Sequence, residues 1–234
     1  MKTFADKIIS FNKNISYKGS LPNKVSIMNP FKENKEALRI SSLFYKKFYD
    51  DHNKRHIIFG INPGRFGAGI TGVPFTDTKR LLSECGIEFP GRPTHEPSAT
   101  FVYEVINQYG GVKKFYSDFY IQSLCPLGFT ITNAAGKEIN YNYYDSNELT
   151  DCVYNFIIAN IKKQISFGIS TDICFLFGTG KNAKFFKKIN DEFHFFKKVI
   201  PLEHPRFIMQ YKAKSKDIYL KKYIDAFSEA NGEQ

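Results

Sequence analysis

Three short segments carry the residues best suited to do chemistry. The first, Gly60–Phe75, reads GINPGRFGAGITGVPF directly after an apolar run and holds five glycines and two prolines. Glycine at that density implies a shaped backbone that lets a ligand approach closely and meet N–H donors. A Walker loop is excluded because Gly-Lys-Ser/Thr is absent. Pro63 and Pro74 also oppose the helix that a dinucleotide fingerprint opens among its glycines. On residue types alone, a ligand-binding loop and a structural one both stay open. The second segment, Ser123–Phe129 (SLCPLGF), follows another apolar run and would serve equally well as a plain strand terminus. The third, Glu203–Phe207 (EHPRF), offers an imidazole at His204, although His-Pro also commonly just ends a strand.

Taken together and in this order, the three segments resemble the motifs of the uracil-DNA glycosylase superfamily, over a span from about Asn29-Pro30 to Arg206. Gly60–Phe75 is similar to the first catalytic motif, and closest to that of the single-strand-selective monofunctional branch. That version also runs from Gly-x-Asn-Pro-Gly through Phe-Gly to Thr-Gly-Val-Pro-Phe. The GINPG start is shared with the mismatch-specific and thymine-DNA branch, whereas Thr71–Phe75 favours the former. The resemblance implies that Asn62 positions the attacking water, that Phe75 stacks on the extruded base, and that Ile61 and Gly64 shape the pocket. Ser123 stands where the family usually has Asn. A hydroxyl offers less than a carboxamide, which bonds both N3–H and O4 of uracil, so Gln122 or a water is expected to substitute, or base specificity to change. His204 matches the second catalytic position, with Arg206 or Phe207 filling the gap left by the flipped base, although the family's His-Pro-Ser-Pro-Arg loop is longer. Arg206, Lys212, Lys214 and Lys216 are candidates to hold flanking phosphates, the alternative being a solvated basic stretch. Asn29-Pro30 is similar to the family's pocket-lining Asn-Pro.

The implied reaction is hydrolysis of the N-glycosidic bond of uracil or a related deaminated or modified base in DNA, leaving an abasic site. The base must be extruded or presented single-stranded. A carboxamide is not basic enough to take a proton, so Asn62 would orient water through its carbonyl oxygen. His204 would stabilise the negative charge growing at O2 of the departing base. Two other classes remain: a catalytically weak or inactive single-stranded-DNA-binding domain of the same fold, and an enzyme of free nucleosides. The expected partner is DNA, single-stranded and by extension double-stranded, met by a monomer. Neither a cofactor nor a metal is expected. His52 and His56 lack a third ligand, and the four cysteines are 40, 27 and 22 residues apart, without the local pair a cluster would use. Asp77 reads as a helix cap, with a role beside the water as the alternative.

These segments need a scaffold. Four apolar runs of strand length, His56–Ile61, Phe119–Leu124, Ile173–Phe177 and Lys198–Leu202, read as buried parallel strands. Helical patterns over Thr78–Cys85, Ala99–Tyr109, Val112–Tyr116, Asn147–Gln164, Lys181–Asn190 and Lys216–Glu229 alternate with them, with caps at Ser146 or Asn147 and at Ser215. The expectation is one domain over 1–234, an α/β three-layer αβα sandwich around a central four-stranded, mostly parallel sheet, with all three motifs on one sheet edge. Composition agrees with a packed core: 42% hydrophobic residues, with 24 Phe, 14 Tyr and no Trp. An excess of 33 Lys and Arg over 23 Asp and Glu, net charge +10, favours a polyanionic partner. The cysteines read as reduced thiols and no segment reads as a signal peptide or membrane span, so a cytoplasmic location is expected and membrane attachment is not.

Overall fold

The computed structural model describes residues 1–232. In chain order the strands are β1 (Val25–Met28), β2 (Arg55–Gly60), β3 (Phe119–Ser123), β4 (Gly128–Thr132), β5 (Glu138–Tyr141), β6 (Ile169–Phe177) and β7 (Lys198–Leu202). The helices are α1 (Phe4–Asn14), α2 (Pro30–Glu33), α3 (Lys35–Tyr49), α4 (Ala68–Thr71), α5 (Thr78–Ser83), α6 (Pro97–Gln108), α7 (Gly111–Asp118), α8 (Asn147–Ile165), α9 (Lys181–Phe193), α10 (Pro205–Tyr211) and α11 (Lys216–Ala230).

The four expected strands form one sheet in the order β3-β2-β6-β7, parallel throughout. Both faces are covered, which is why these strands are near-continuous apolar runs. On one face Phe119 and Phe175 lie 4.7 and 4.9 Å, ring to ring, from Phe227 of α11. On the other, Tyr120 and Phe59 meet Phe4 of α1 and Phe186 of α9, each at 5.5 Å. Aromatic rings thus fill both interlayers. Pro201, which has no N–H to donate, sits on the edge strand β7, where a missing ladder bond is tolerated.

β2 connects outward to β3 on one side, and β6 connects outward to β7 on the other. Loops that leave the C-terminal ends of neighbouring parallel strands in opposite directions open a crevice between them, the usual ligand position in such sheets. The segments after β2, β3 and β7 are the three motifs.

A second, antiparallel sheet in the order β1-β4-β5 was not anticipated. Its hairpin turns through Asn133–Gly136, where Asn133 Oδ1 accepts from the N–H groups of Ala135 and Lys137. Ser146 caps α8 by accepting from Leu149 N–H. The expected cap at Ser215 is corrected: its hydroxyl turns back to the Lys212 carbonyl, because a short 3₁₀ turn over Ala213–Ser215 leads into α11. Among the described residues no helix is long and apolar enough to cross a membrane.

Candidate active site

Asn62 lies two residues beyond β2 and is held from both ends of its carboxamide. Oδ1 accepts from the Tyr143 N–H at 3.1 Å, and Nδ2 donates to the Tyr141 carbonyl at 3.3 Å. A backbone N–H needs an acceptor and a carbonyl needs a donor, so these contacts settle which end of the amide is oxygen. One lone pair of Oδ1 remains for a further donor. The orienting groups come from the end of β5 and the loop after it, so the unanticipated sheet is what aims this side chain. The loops after β2 and β3 are laced together by Leu124 N–H to Gly60 O and Cys125 N–H to Ile61 O, both at 3.0 Å. That lacing sets Ser123 beside Ile61 and Asn62.

The rest of the glycine-rich segment folds into a buried bracket. Thr71 is fully buried; its hydroxyl donates to the Thr76 carbonyl at 2.7 Å and accepts from the Val73 N–H at 3.2 Å. The bracket forces Phe75 into the left-handed region, φ +52°, a costly conformation for an aromatic residue. The result is a ring that stands against the end of β2. A Cβ on Gly60 would lie 3.0 Å from that ring, which explains the glycine there. Phe75 meets the Phe177 ring edge-on at 5.1 Å and the His204 imidazole at 5.7 Å.

His204 follows β7 and caps α10. Its Nδ1 accepts from the Arg206 N–H at 3.1 Å, so in the neutral ring the proton resides on Nε2. Burial, with a smaller contribution from the Arg206 charge, pushes its pKa down to about 4. The imidazole is therefore a neutral N–H donor at physiological pH.

Ile61, Asn62, Gly64, Phe75, Ser123, His204, Arg206 and Phe207 all line a single cleft of about 450 Å³, within the range of small-molecule sites. The structure brings these sequence-derived candidates together. It does not bring Lys212 and Lys214 into the cleft; both are exposed beyond the end of α10. Lys216 pairs with Glu104 at 2.6 Å. Gln122 cannot stand in for the missing Asn: it is buried, donating to the Tyr120 hydroxyl and accepting from the Ser123 N–H. Asn29 does not line the cleft either, but caps α2 and donates to the Ile15 carbonyl. Asp77 is the cap of α5, fully buried and accepting from the N–H groups of Arg80 and Glu96. The expected loop after His204 is instead helix α10, which Pro205 starts readily as its first residue.

The cleft is also lined by Glu96, Asn140, Asn142, Tyr144, Gln210 and Tyr211, all of which lie outside the three motifs. The hairpin residues had a findable signal: GFTIT and EINY alternate in polarity around a glycine-containing turn. Glu96 had none. Burial, and then the Asp77 charge, raises its pKa, while Arg206 acts in the opposite direction.

A model of the uracil DNA glycosylase superfamily matches residues 46–228, most of the chain and all three motifs. A crystal structure of wild-type Pedobacter heparinus SMUG2 is similar at 57% sequence identity and a TM-score of 0.97, covering 99% of this chain and 100% of that one. No curated protein sequence matches.

Proposed function

The chain belongs to the uracil-DNA glycosylase superfamily, and from that premise we propose that it hydrolyses the N-glycosidic bond of uracil, or of a closely related deaminated base, in DNA. The observation that carries this reading is that the Asn62 carboxamide and the neutral His204 open into one cleft, with the Phe75 ring beside them.

In this reading the extruded base lies against Phe75. As the bond from C1′ to the base nitrogen breaks, its electron pair leaves with the base and positive charge develops on the sugar. The Nε2–H of His204 donates to the O2 that gains negative charge, a contact that strengthens toward the transition state. A water held at the open lone pair of Asn62 Oδ1 adds its oxygen to C1′. Its proton passes to solvent or to the departing base, so no group of Asn62 has to titrate. Among the described residues that line the cleft there is no lysine. That supports a monofunctional reaction ending at an abasic site, since a lyase would route the sugar through an amine. Ser123 sits where uracil's polar edge would be read, and its single hydroxyl supports a broader choice of base than a carboxamide allows.

The test is release of base from a labelled single-stranded oligonucleotide bearing one uracil, developed by alkaline cleavage at the abasic site, beside a thymine control. Uracil-dependent cleavage that collapses in Asn62→Ala is the expected result. Tight binding without cleavage of uracil or any other deaminated base would replace this reading with that of a DNA-binding domain.

A further inference from the structure

A second cavity, of about 470 Å³, adjoins the catalytic cleft. Glu96, Ser98, Asn140, Arg206 and Gln210 line both, so a chain threaded into one passes directly into the other. Phe66, His95, Pro97 and Met209 line this second cavity alone. Phe66, within the glycine-rich segment, is 56% exposed. Its ring is nonetheless backed: the Arg65 guanidinium lies 5.1 Å from the ring centroid, and Arg65 Nη1 is itself anchored to the Glu138 carbonyl at 2.7 Å. An aromatic face presented to solvent beside a groove that holds an arginine, Arg206, is the element from which single-strand binders build stacking platforms, since every base has a face to stack. Arg206, at the junction, would meet the phosphodiester that links two neighbouring nucleotides.

We infer that this cavity is a subsite for the base adjacent to the excised one, stacked on Phe66 and unpaired. A neighbouring base still paired in a duplex is held by its partner strand and cannot stack in this adjoining cavity. The inference rests on the base-excision reading of the cleft and adds to it a second nucleotide position.

The test is a cycle between protein and DNA. Single-stranded oligonucleotides carry one uracil with either a normal base or a reduced abasic analogue on its 5′ or 3′ side. Wild type, Phe66→Ala and Phe66→Tyr are compared by kcat/KM and, separately, by the dissociation constant. Removing the neighbouring base on one side should cost wild type about tenfold. Phe66→Ala should show that loss with the neighbour present and no further loss without it, and Phe66→Tyr should restore the wild-type response. Losses that simply multiply on both sides, or a Phe66→Ala variant indistinguishable from wild type, would overturn the subsite. If wild type releases neither uracil nor any other deaminated base, the excision reading fails on its own, while the binding cycle still decides whether Phe66 stacks on a base.

Discussion

The lip of the cleft that carries Asn62 and Phe75 is tied down by hydrogen bonds at Asn62 and Thr71, whereas the lip that carries His204 presents Phe207 and Tyr211 outward from a two-turn helix. On the first, the Asn62 carboxamide is bonded at both ends and Thr71 pins the loop from inside the core. On the second, Phe207 is 40% and Tyr211 65% exposed, their rings 5.5 Å apart on one side of α10. The difference assigns labour. A braced lip can hold a water and a base to the accuracy that chemistry demands. An exposed aromatic and cationic lip suits a polymer that must be gripped and released. The contrast predicts opposite kinetic signatures. Asn62→Ala should lower turnover roughly 100-fold while the dissociation constant for DNA changes little. Phe207→Ala should weaken binding and affect turnover at saturation much less. Single-turnover rates set beside anisotropy titrations check both, and equal losses of binding and turnover in both variants would erase the contrast.

His204 belongs to the exposed lip in sequence but to the braced one in physics. With its pKa held near 4, it is neutral through the range in which an ordinary histidine, near 6.5, titrates. The rate of base release should therefore show no inflection near pH 6.5. His204→Ala should lose turnover, again by roughly 100-fold. The same shift has a sign for stability. Between the folded and unfolded values the unfolded chain binds the extra proton, so stability falls as pH drops from about 6.5 toward about 4 and is untouched above. Urea denaturation at pH 4.5 and 7.5 should show a shallower acid loss in His204→Ala. A rate inflection near 6.5 in wild type would mean that the ring is not desolvated as described.

A smaller effect is expected one step behind the site. Thr71 touches no part of the cleft, yet its hydroxyl holds the turn that keeps Phe75 in a left-handed conformation. Thr71→Val keeps the shape and removes the bonds. It should cost about 1–2 kcal/mol of stability and roughly tenfold in turnover, about 1.4 kcal/mol of barrier. Thr71→Ser, which retains the hydroxyl, should recover the turnover. Recovery of stability without recovery of turnover would mean that the bracket is structural only.

How far the residues announce this arrangement depends on what each signal is made of. Buried parallel strands are written as apolar runs, so the central sheet and its common edge could be read along the chain, and the motifs came with it. The braces of Asn62 could not. They are backbone groups of Tyr141 and Tyr143, some 80 residues away, and any residue type supplies an N–H and a carbonyl. Ser123 and Gln122 show the other limit. Adjacent strand residues point to opposite faces, and only the structure shows that Gln122 turns into the core while Ser123 faces the cleft. Glu96 enters because α6 happens to begin there, its own N–H bonded to the Asp77 carboxylate. A lone glutamate before a proline carries no such message.

The smallest expected effect concerns the lysines past α10. Lys212 and Lys214 are exposed and outside the cleft, whereas Lys216 is engaged by Glu104. If the outward lip continues along the DNA backbone, each of the first two neutralises a phosphate. Binding of single strands then gains about 0.7 in salt slope per contact. The double variant Lys212→Ala, Lys214→Ala should therefore flatten the plot of log binding constant against log salt by about 1.4. Turnover at saturating DNA should stay close to wild type, and Lys216→Ala should move the slope less than either. An unchanged slope in the double variant would return both side chains to the status of a solvated basic stretch. The gripping surface would then end at Tyr211, and Arg206 would be left as the principal phosphate contact of this lip.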